Sequence, residues 1–100
     1  MDFESHIQGS KPVLVEFYAE WSGPCKLLIP ILHEVKETTG NRISVLRINI
    51  SEDPSYAEDY HVYTVPTLIL FRDGRIIWRK NGIASSHEIL HNLDLVLASM

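Results

Sequence analysis

A six-residue turn between two apolar segments constrains the fold of this chain more than any other feature. The turn, residues 21–26, follows the apolar run 13–19 and precedes apolar residues spaced three or four apart. This pattern indicates a strand, a tight turn and a helix. Ser22 is a favourable N-cap residue, and Pro24 suits the first helical turn, where its missing N–H leaves no bond unmade. The sequence therefore predicts a long helix over residues 24–39.

Cys25 is the only cysteine, and it lies three residues after Ser22 at the predicted helix start. The positive end of a helix stabilises a thiolate, whereas burial opposes it. On position alone, Cys25 is either a reactive thiol or a small buried apolar residue. We do not expect Ser22 to be a hydrolase nucleophile, because Lys26 is its only nearby candidate base.

Length and composition limit the classes of protein that need consideration. One hundred residues with 45% hydrophobic content can form one core, so we expect a single domain over residues 1–100. The net charge of -4 and the lack of a long basic run argue against nucleic-acid binding. The sequence shows no secretory signal and no apolar run near the roughly 18 residues of a membrane span. With a single thiol, these features predict a cytoplasmic, monomeric protein with no membrane partner.

Strand and helix signals alternate along the rest of the chain. Strands are predicted over residues 13–18, 43–50, 67–71 and 76–79, and further helices over residues 2–8, 54–60 and a C-terminal segment. Asp2, Asp53 and Ser85 are the predicted helix caps, and Ser85 forms a capping box with Glu88. A strand, a helix and a strand imply a parallel crossover, whereas Asp73-Gly74 predicts an antiparallel hairpin. The expected fold is α/β, a four-stranded mixed sheet with helices on both faces.

Several of these motifs, in this order, resemble the thioredoxin family over nearly the whole chain. The matching residues are Val15-Glu16-Phe17-Tyr18-Ala19-Glu20-Trp21, Gly23-Pro24-Cys25-Lys26, Pro30, Val65-Pro66-Thr67, Asp73-Gly74 and Gly82. The resemblance implies a thioredoxin fold, but the chain begins near the family's first helix, so its N-terminal edge strand is expected to be absent. The second departure is Ser22, because the family has cysteine at both ends of this motif.

The resemblance also implies roles for four residues of a catalytic site. Ser22 stands where the family has its attacking thiol, and Cys25 matches the buried resolving thiol. Glu16 matches a buried acid that moves a proton to or from that thiol, and Arg47 matches its basic partner. Disulfide exchange needs a second thiol to release the substrate, so this chain is expected to stop at a mixed disulfide through Cys25.

A docking surface for an extended protein segment is implied by the same resemblance. It comprises Trp21, Gly23, Pro24, Val65, Pro66, Gly82 and Ile83. The resemblance predicts a cis peptide bond at Pro66, where substrate backbone groups would pair. The implied partners are disulfide-containing proteins and thioredoxin reductase, and no cofactor is expected.

Three functions remain open from the sequence. The first is a protein-disulfide reductase with an incomplete site, and the second is a binding module that keeps the docking surface without turnover. The third is monothiol exchange, in which Cys25 takes up glutathione or pairs with a second chain. A metal site is not expected, because His87 and His91 lie four residues apart without a third ligand, and Cys25 with Ser22 is a poor iron–sulfur ligand set.

Overall fold

The structure, a computed structural model, describes residues 3–99. Its elements are α1 (Phe3–Ile7), β1 (Val13–Tyr18), α2 (Gly23–Thr39), a 3-10 turn (Gly40–Arg42), β2 (Ser44–Asn49), α3 (Pro54–Asp59), β3 (Thr67–Arg72), β4 (Arg75–Asn81) and α4 (Ser86–Ala98). Asp2, the predicted cap of α1, lies outside the described residues. The predicted strands and helices are all present, with ends shifted by two residues at most.

The four strands form one mixed sheet in the order β2-β1-β3-β4. β1 pairs in parallel with β2 and antiparallel with β3, and β3 pairs antiparallel with β4. The prediction that the apolar run 13–18 is a central strand is therefore confirmed. Within residues 3–99 one edge of the sheet is β2, the strand that provides Arg47.

Helices cover both faces of the sheet, as predicted. Since successive strand residues point to opposite faces, β1 contributes to two separate cores. Leu14 packs with residues of α2 and α4, whereas Val15 and Phe17 pack with residues of α1 and with the aromatic side chains of the α3 region. Glu16 and Tyr18 share the parity of Leu14, so both lie on the side of the sheet that α2 covers.

The hairpin between β3 and β4 has the two-residue turn predicted for Asp73-Gly74. Asp73 has φ 55° and Gly74 has φ 76°, the left-handed conformation that a tight hairpin requires at both positions. The Asp73 N–H donates to the Gly9 carbonyl at 2.9 Å, and the Gly74 N–H donates to the Ile7 carbonyl at 2.8 Å. The turn is therefore fixed against the end of α1.

Two predicted caps differ in outcome. The Ser85 hydroxyl accepts a hydrogen bond from the Glu88 N–H at 3.1 Å, so this half of the predicted capping box is present. The Glu88 carboxylate pairs instead with the Lys80 ammonium, at 3.2 Å. The predicted side-chain cap at Asp53 is wrong, because that side chain makes no cap hydrogen bond. With φ -127° and ψ 67°, the backbone of Asp53 lies outside the extended conformation that aims a cap at the helix N–H groups.

Candidate active site

The start of α2 places Ser22 and Cys25 together. Ser22 has the extended backbone of an N-cap, and its Oγ accepts a hydrogen bond from the Cys25 N–H at 3.3 Å. The Ser22 N–H donates to the Ala19 carbonyl at 3.2 Å, which closes the turn after β1. Both side chains are buried, with Ser22 4% and Cys25 1% exposed. The serine oxygen is therefore held in the first turn of the helix that carries the only thiol.

A cavity of about 420 Å³ opens beside Cys25. Its lining residues are Tyr18, Ala19, Glu20, Cys25, Lys26, Ile29 and Arg47. Two of these side chains are cationic and one is an acid, so the thiol borders a polar cavity although little of its own surface is exposed. Apart from Cys25 and Arg47, none of the lining residues was among the predicted site residues.

Glu16 is fully buried on the α2 side of the central strand. It lies directly opposite Arg47 in the β1–β2 register, and the Arg47 Nε donates to Glu16 Oε1 at 2.8 Å. Among the described residues, Glu16 Oε2 has no hydrogen-bond partner. Burial raises the pKa of Glu16, and the hydrogen bond and charge of Arg47 partly offset this rise. The side chain of Glu16 therefore retains a proton to a higher pH than a solvated carboxyl group does.

Tyr18 completes this cluster, and sequence reasoning missed it. The guanidinium carbon of Arg47 lies 3.9 Å from the centroid of the Tyr18 ring, which is a cation–π contact. A signal was available, because Glu16 and Tyr18 are two residues apart on one strand face and Arg47 was the expected partner of Glu16. The orientation of a flexible arginine, however, does not follow from spacing.

A second part of the site is formed by the loop before β3 and the end of β4. The Val65-Pro66 peptide bond is cis, as the resemblance predicted. The Gly82 N–H donates to the Pro66 carbonyl at 2.8 Å, so these two predicted docking residues are in direct contact. Gly82 has φ 108°, a conformation that favours glycine.

The other predicted docking residues are mostly at the surface. Trp21 is 76% and Ile83 41% exposed, Gly23 and Pro24 are exposed, and Val65 is half-buried. Tyr63, two residues before Val65, is 83% exposed and was not predicted. Exposed aromatic and aliphatic side chains of this kind are typical of surfaces that bind other proteins. Six of the predicted site residues are joined in hydrogen-bonded pairs: Ser22 with Cys25, Glu16 with Arg47, and Pro66 with Gly82.

A metal-binding cluster and a membrane-spanning helix are both absent within residues 3–99. No cluster of three or more histidine, cysteine or acidic side chains there has the arrangement of a metal site. His87 and His91 both lie in α4. In the same part of the chain, no helix combines the length and the apolar character needed to cross a membrane.

Comparison with known proteins shows which chains are similar to this one. The thioredoxin family model matches residues 1–95. Among curated proteins, a thioredoxin of Alicyclobacillus acidocaldarius subsp. acidocaldarius is 36% identical over 96% of this chain and 91% of its own length. A thioredoxin of Acidithiobacillus ferridurans is 41% identical over 92% of this chain and 86% of its own. Thioredoxin Y2, chloroplastic, of Arabidopsis thaliana is 42% identical over 92% of this chain. The chain spans about half the length of this plant relative, 56%.

Proposed function

Since the chain belongs to the thioredoxin family, we propose that it takes part in thiol–disulfide exchange on protein substrates through a site with one of its two usual sulfurs. The observation that carries this proposal is the hydrogen bond between Ser22 Oγ and the Cys25 N–H at the start of α2. In this proposal the Ser22 oxygen stands in for the attacking sulfur of a dithiol motif, and the hydrogen bond supports that interpretation. The buried Glu16–Arg47 pair and the cis Val65-Pro66 peptide support the same interpretation.

The chemistry of this site stops halfway through an exchange cycle. The Cys25 thiolate attacks one sulfur of a substrate disulfide, a Cys25–substrate disulfide forms, and the other substrate sulfur leaves as a thiolate. Release of the substrate then needs a second thiolate to attack the new disulfide. The Ser22 hydroxyl cannot supply it, so an external thiol must complete the cycle. Because Cys25 is 1% exposed, even the first step is slow in the chain as it stands.

Glu16 and Arg47 have a proton-transfer role in this proposal. The thiol of Cys25 must lose a proton before it attacks, and a buried carboxyl with a raised pKa is suited to exchange that proton. Arg47 borders the same cavity as Cys25 and donates to Glu16, so it connects the two sites electrostatically. Arg47 then determines how readily Glu16 loses its proton.

The substrate in this proposal is an extended segment of a disulfide-containing protein. The apolar surface of Trp21 and Ile83 gives it contact area, and the backbone of Val65 gives it hydrogen-bond partners. Thioredoxin reductase is the proposed source of electrons for a complete dithiol site. A reducing compartment such as the cytoplasm suits a chain with one free thiol.

The test is to restore the second sulfur. The Ser22→Cys variant should reduce insulin with dithiothreitol and with thioredoxin reductase, well above the rate of the parent chain. The double variant Ser22→Cys/Cys25→Ser is the matched control, since it also has one thiol, and it should show no turnover by the enzymatic route. A folded Ser22→Cys protein that reduces insulin with neither electron source would contradict the proposal.

A second candidate, a binding module without turnover, is favoured by one observation. Ser22 satisfies the Cys25 N–H within a buried turn, so serine is a stable residue at this position. Such a module would bind its partner whether or not the partner contains a disulfide. Equal affinity of the parent chain for an oxidised and a reduced substrate peptide, lost on Trp21→Ala, would support this function over exchange.

The third possibility, monothiol exchange with glutathione, is disfavoured by the burial of Cys25. Intact-mass spectrometry of the folded chain after treatment with oxidised glutathione decides it. We expect the adduct to form much more slowly in the folded chain than after unfolding.

A further inference from the structure

Arg47 is held from two directions by side chains of the neighbouring strand. Glu16 and Tyr18 lie two residues apart on β1 and therefore share one face of the sheet. Arg47 lies opposite Glu16 on β2, and its guanidinium spans both residues. It donates to Glu16 Oε1 at 2.8 Å through Nε, and its central carbon lies 3.9 Å from the Tyr18 ring centroid.

The ion pair alone does not fix the guanidinium. The hydrogen bond to Glu16 comes from Nε, Arg47 also lines the cavity beside Cys25, and its side chain is 36% exposed. Glu20 lines the same cavity and offers a competing carboxylate. The face of the Tyr18 ring stabilises the cation and restricts its rotamers, which limits movement toward Glu20 or water.

We propose that Tyr18 is a positioning residue for thiol–disulfide exchange, because its ring holds the Arg47 guanidinium, which lines the cavity next to Cys25, against the buried Glu16 carboxylate. The chemical purpose of this arrangement rests on the proposed function. The coupling among the three side chains rests on their geometry alone, so it can be tested in a chain that has no turnover.

The predicted consequence is a change in the proton affinity of Glu16. The charged group that acts directly on Glu16 is Arg47 on β2. Arg47 also lines the adjoining cavity, whose other titratable side chains are Cys25 and Lys26 of α2, Glu20 of the turn after β1, and Tyr18. β3 offers only Leu68 opposite Glu16. If the Arg47 guanidinium moves away from Glu16, the carboxylate loses its nearby positive charge. The pKa of Glu16 then rises further, because the charged form is less stabilised.

The experiment is a titration of Glu16 by NMR in chains labelled with glutamate carrying ¹³C at the side-chain carboxyl. The Glu16 signal is assigned by its loss in Glu16→Gln. Tyr18→Leu should move the titration midpoint upward by about 0.5 to 1 pH unit, the equivalent of one partly exposed cation–π contact. Tyr18→Phe keeps the ring face and should leave the midpoint where it is in the parent chain.

A double variant separates positioning from a general loosening of the fold. Arg47→Gln should raise the midpoint at least as much as Tyr18→Leu, and adding Tyr18→Leu to Arg47→Gln should cause no further change. The inference is overturned if Tyr18→Leu leaves the midpoint unchanged, if Tyr18→Phe shifts it equally, or if the shift persists without Arg47.

The outcome is independent of the proposed function. Insulin reduction by Ser22→Cys tests the function, whereas the Glu16 midpoint tests the coupling in the Ser22 chain. If the midpoint responds as expected but Ser22→Cys is inactive, the positioning geometry stands and the exchange function fails. In the Ser22→Cys background, Tyr18→Leu should shift the pH profile of insulin reduction in the same direction, and Tyr18→Phe should not.

Discussion

Glu16 is the residue at which the requirements of folding and of chemistry conflict most clearly. Its side chain is fully buried, one oxygen is paired with Arg47, and the other has no hydrogen-bond partner among the described residues. Attraction to a single cation rarely recovers the full cost of removing a carboxylate from water. A carboxylate in this environment is explained more readily by function than by stability.

We predict that Glu16→Leu raises the free energy of unfolding at pH 7 by about 1 to 2 kcal/mol. Leucine fits an apolar surround, and the released guanidinium of Arg47, which is 36% exposed, can reach water. Urea denaturation of the parent and variant measures the change. A clear loss of stability would show that the Glu16–Arg47 pair is a net stabilising interaction.

The pH dependence of stability should follow the raised pKa of Glu16. Above the ordinary carboxyl pKa the unfolded chain releases this proton while the folded chain retains it. Stability from this group is therefore complete at low pH and is lost as the pH rises through the folded pKa. Glu16→Gln removes the titration, so the free energy of unfolding of the variant minus that of the parent should grow as the pH rises from the ordinary carboxyl pKa to the folded pKa of Glu16, and should level off above it. If this difference does not change with pH between roughly pH 4 and pH 8, the range in which a raised carboxyl pKa is expected, the raised pKa of Glu16 would be contradicted.

At this scale the burial of Glu16 follows from the sequence, because Leu14 and Tyr18 share its strand face and favour a covered face. The resemblance added Arg47 as its partner, and the 2.8 Å contact between Arg47 and Glu16 confirms this pairing. The unpaired Oε2 and the stacked Tyr18 were not predictable from spacing. Both depend on rotamers, which are determined by packing around the side chains.

At the scale of single elements, helix starts and turns determine the shape of the site. Two helices begin with a serine whose hydroxyl accepts the N–H three residues on, Ser22 in α2 and Ser85 in α4. Ser22 is buried and Ser85 is exposed, so the chain offers an internal comparison of the same hydrogen bond in two environments.

Ser22→Ala should lower the free energy of unfolding by about 1 to 2 kcal/mol, and Ser85→Ala by about 0.5 to 1 kcal/mol. Water can replace the lost acceptor at the exposed cap, whereas the buried Cys25 N–H is left without one. Thermal or urea unfolding of both variants measures the difference. Equal losses would mean that the start of α2 is solvated when the hydroxyl is removed.

Two glycines should respond oppositely to alanine. Gly74 has φ 76° in the hairpin turn, so Gly74→Ala should cost about 1 to 2 kcal/mol of unfolding free energy through backbone strain. An added Cβ would also meet the Gln8 side chain at 2.9 Å, which can move aside. Gly23 lies in the first turn of α2 with nothing within 4 Å of an added Cβ, so Gly23→Ala should be neutral or stabilising by up to about 1 kcal/mol. A neutral Gly74→Ala would contradict this view of the turn.

Local sequence signals predicted these elements with unequal success. Asp73-Gly74 is a strong signal because a two-residue hairpin demands left-handed backbone, and the structure has it at both positions. Asp53-Pro54 carried an equally familiar helix-start signal, but the side-chain cap is absent. The turn after β2 fixes the backbone at Asp53, whose N–H donates to the Asn49 carbonyl four residues earlier, and this turn replaces the extended backbone that a side-chain cap requires.

On the scale of the whole molecule, the site exists because three chain segments meet at one sheet. β1 leads into the turn that holds Ser22, β2 presents Arg47 opposite Glu16, and the loop before β3 provides the cis Pro66 bonded to Gly82. Periodicity and the crossover rule predicted the mixed sheet and the covering of both faces. The convergence of these segments was predicted through the family resemblance, because contacts between distant segments leave no signal in the spacing of residues along one chain.

The central claim is that residue 22 occupies the place of a second sulfur next to Cys25, and the most direct test is whether a disulfide forms there. We expect oxidised Ser22→Cys to lose both free thiols, to remain a monomer by mass, and to recover both thiols with dithiothreitol. Two thiols that stay free in the folded protein, or a disulfide that forms only between chains, would contradict the claim.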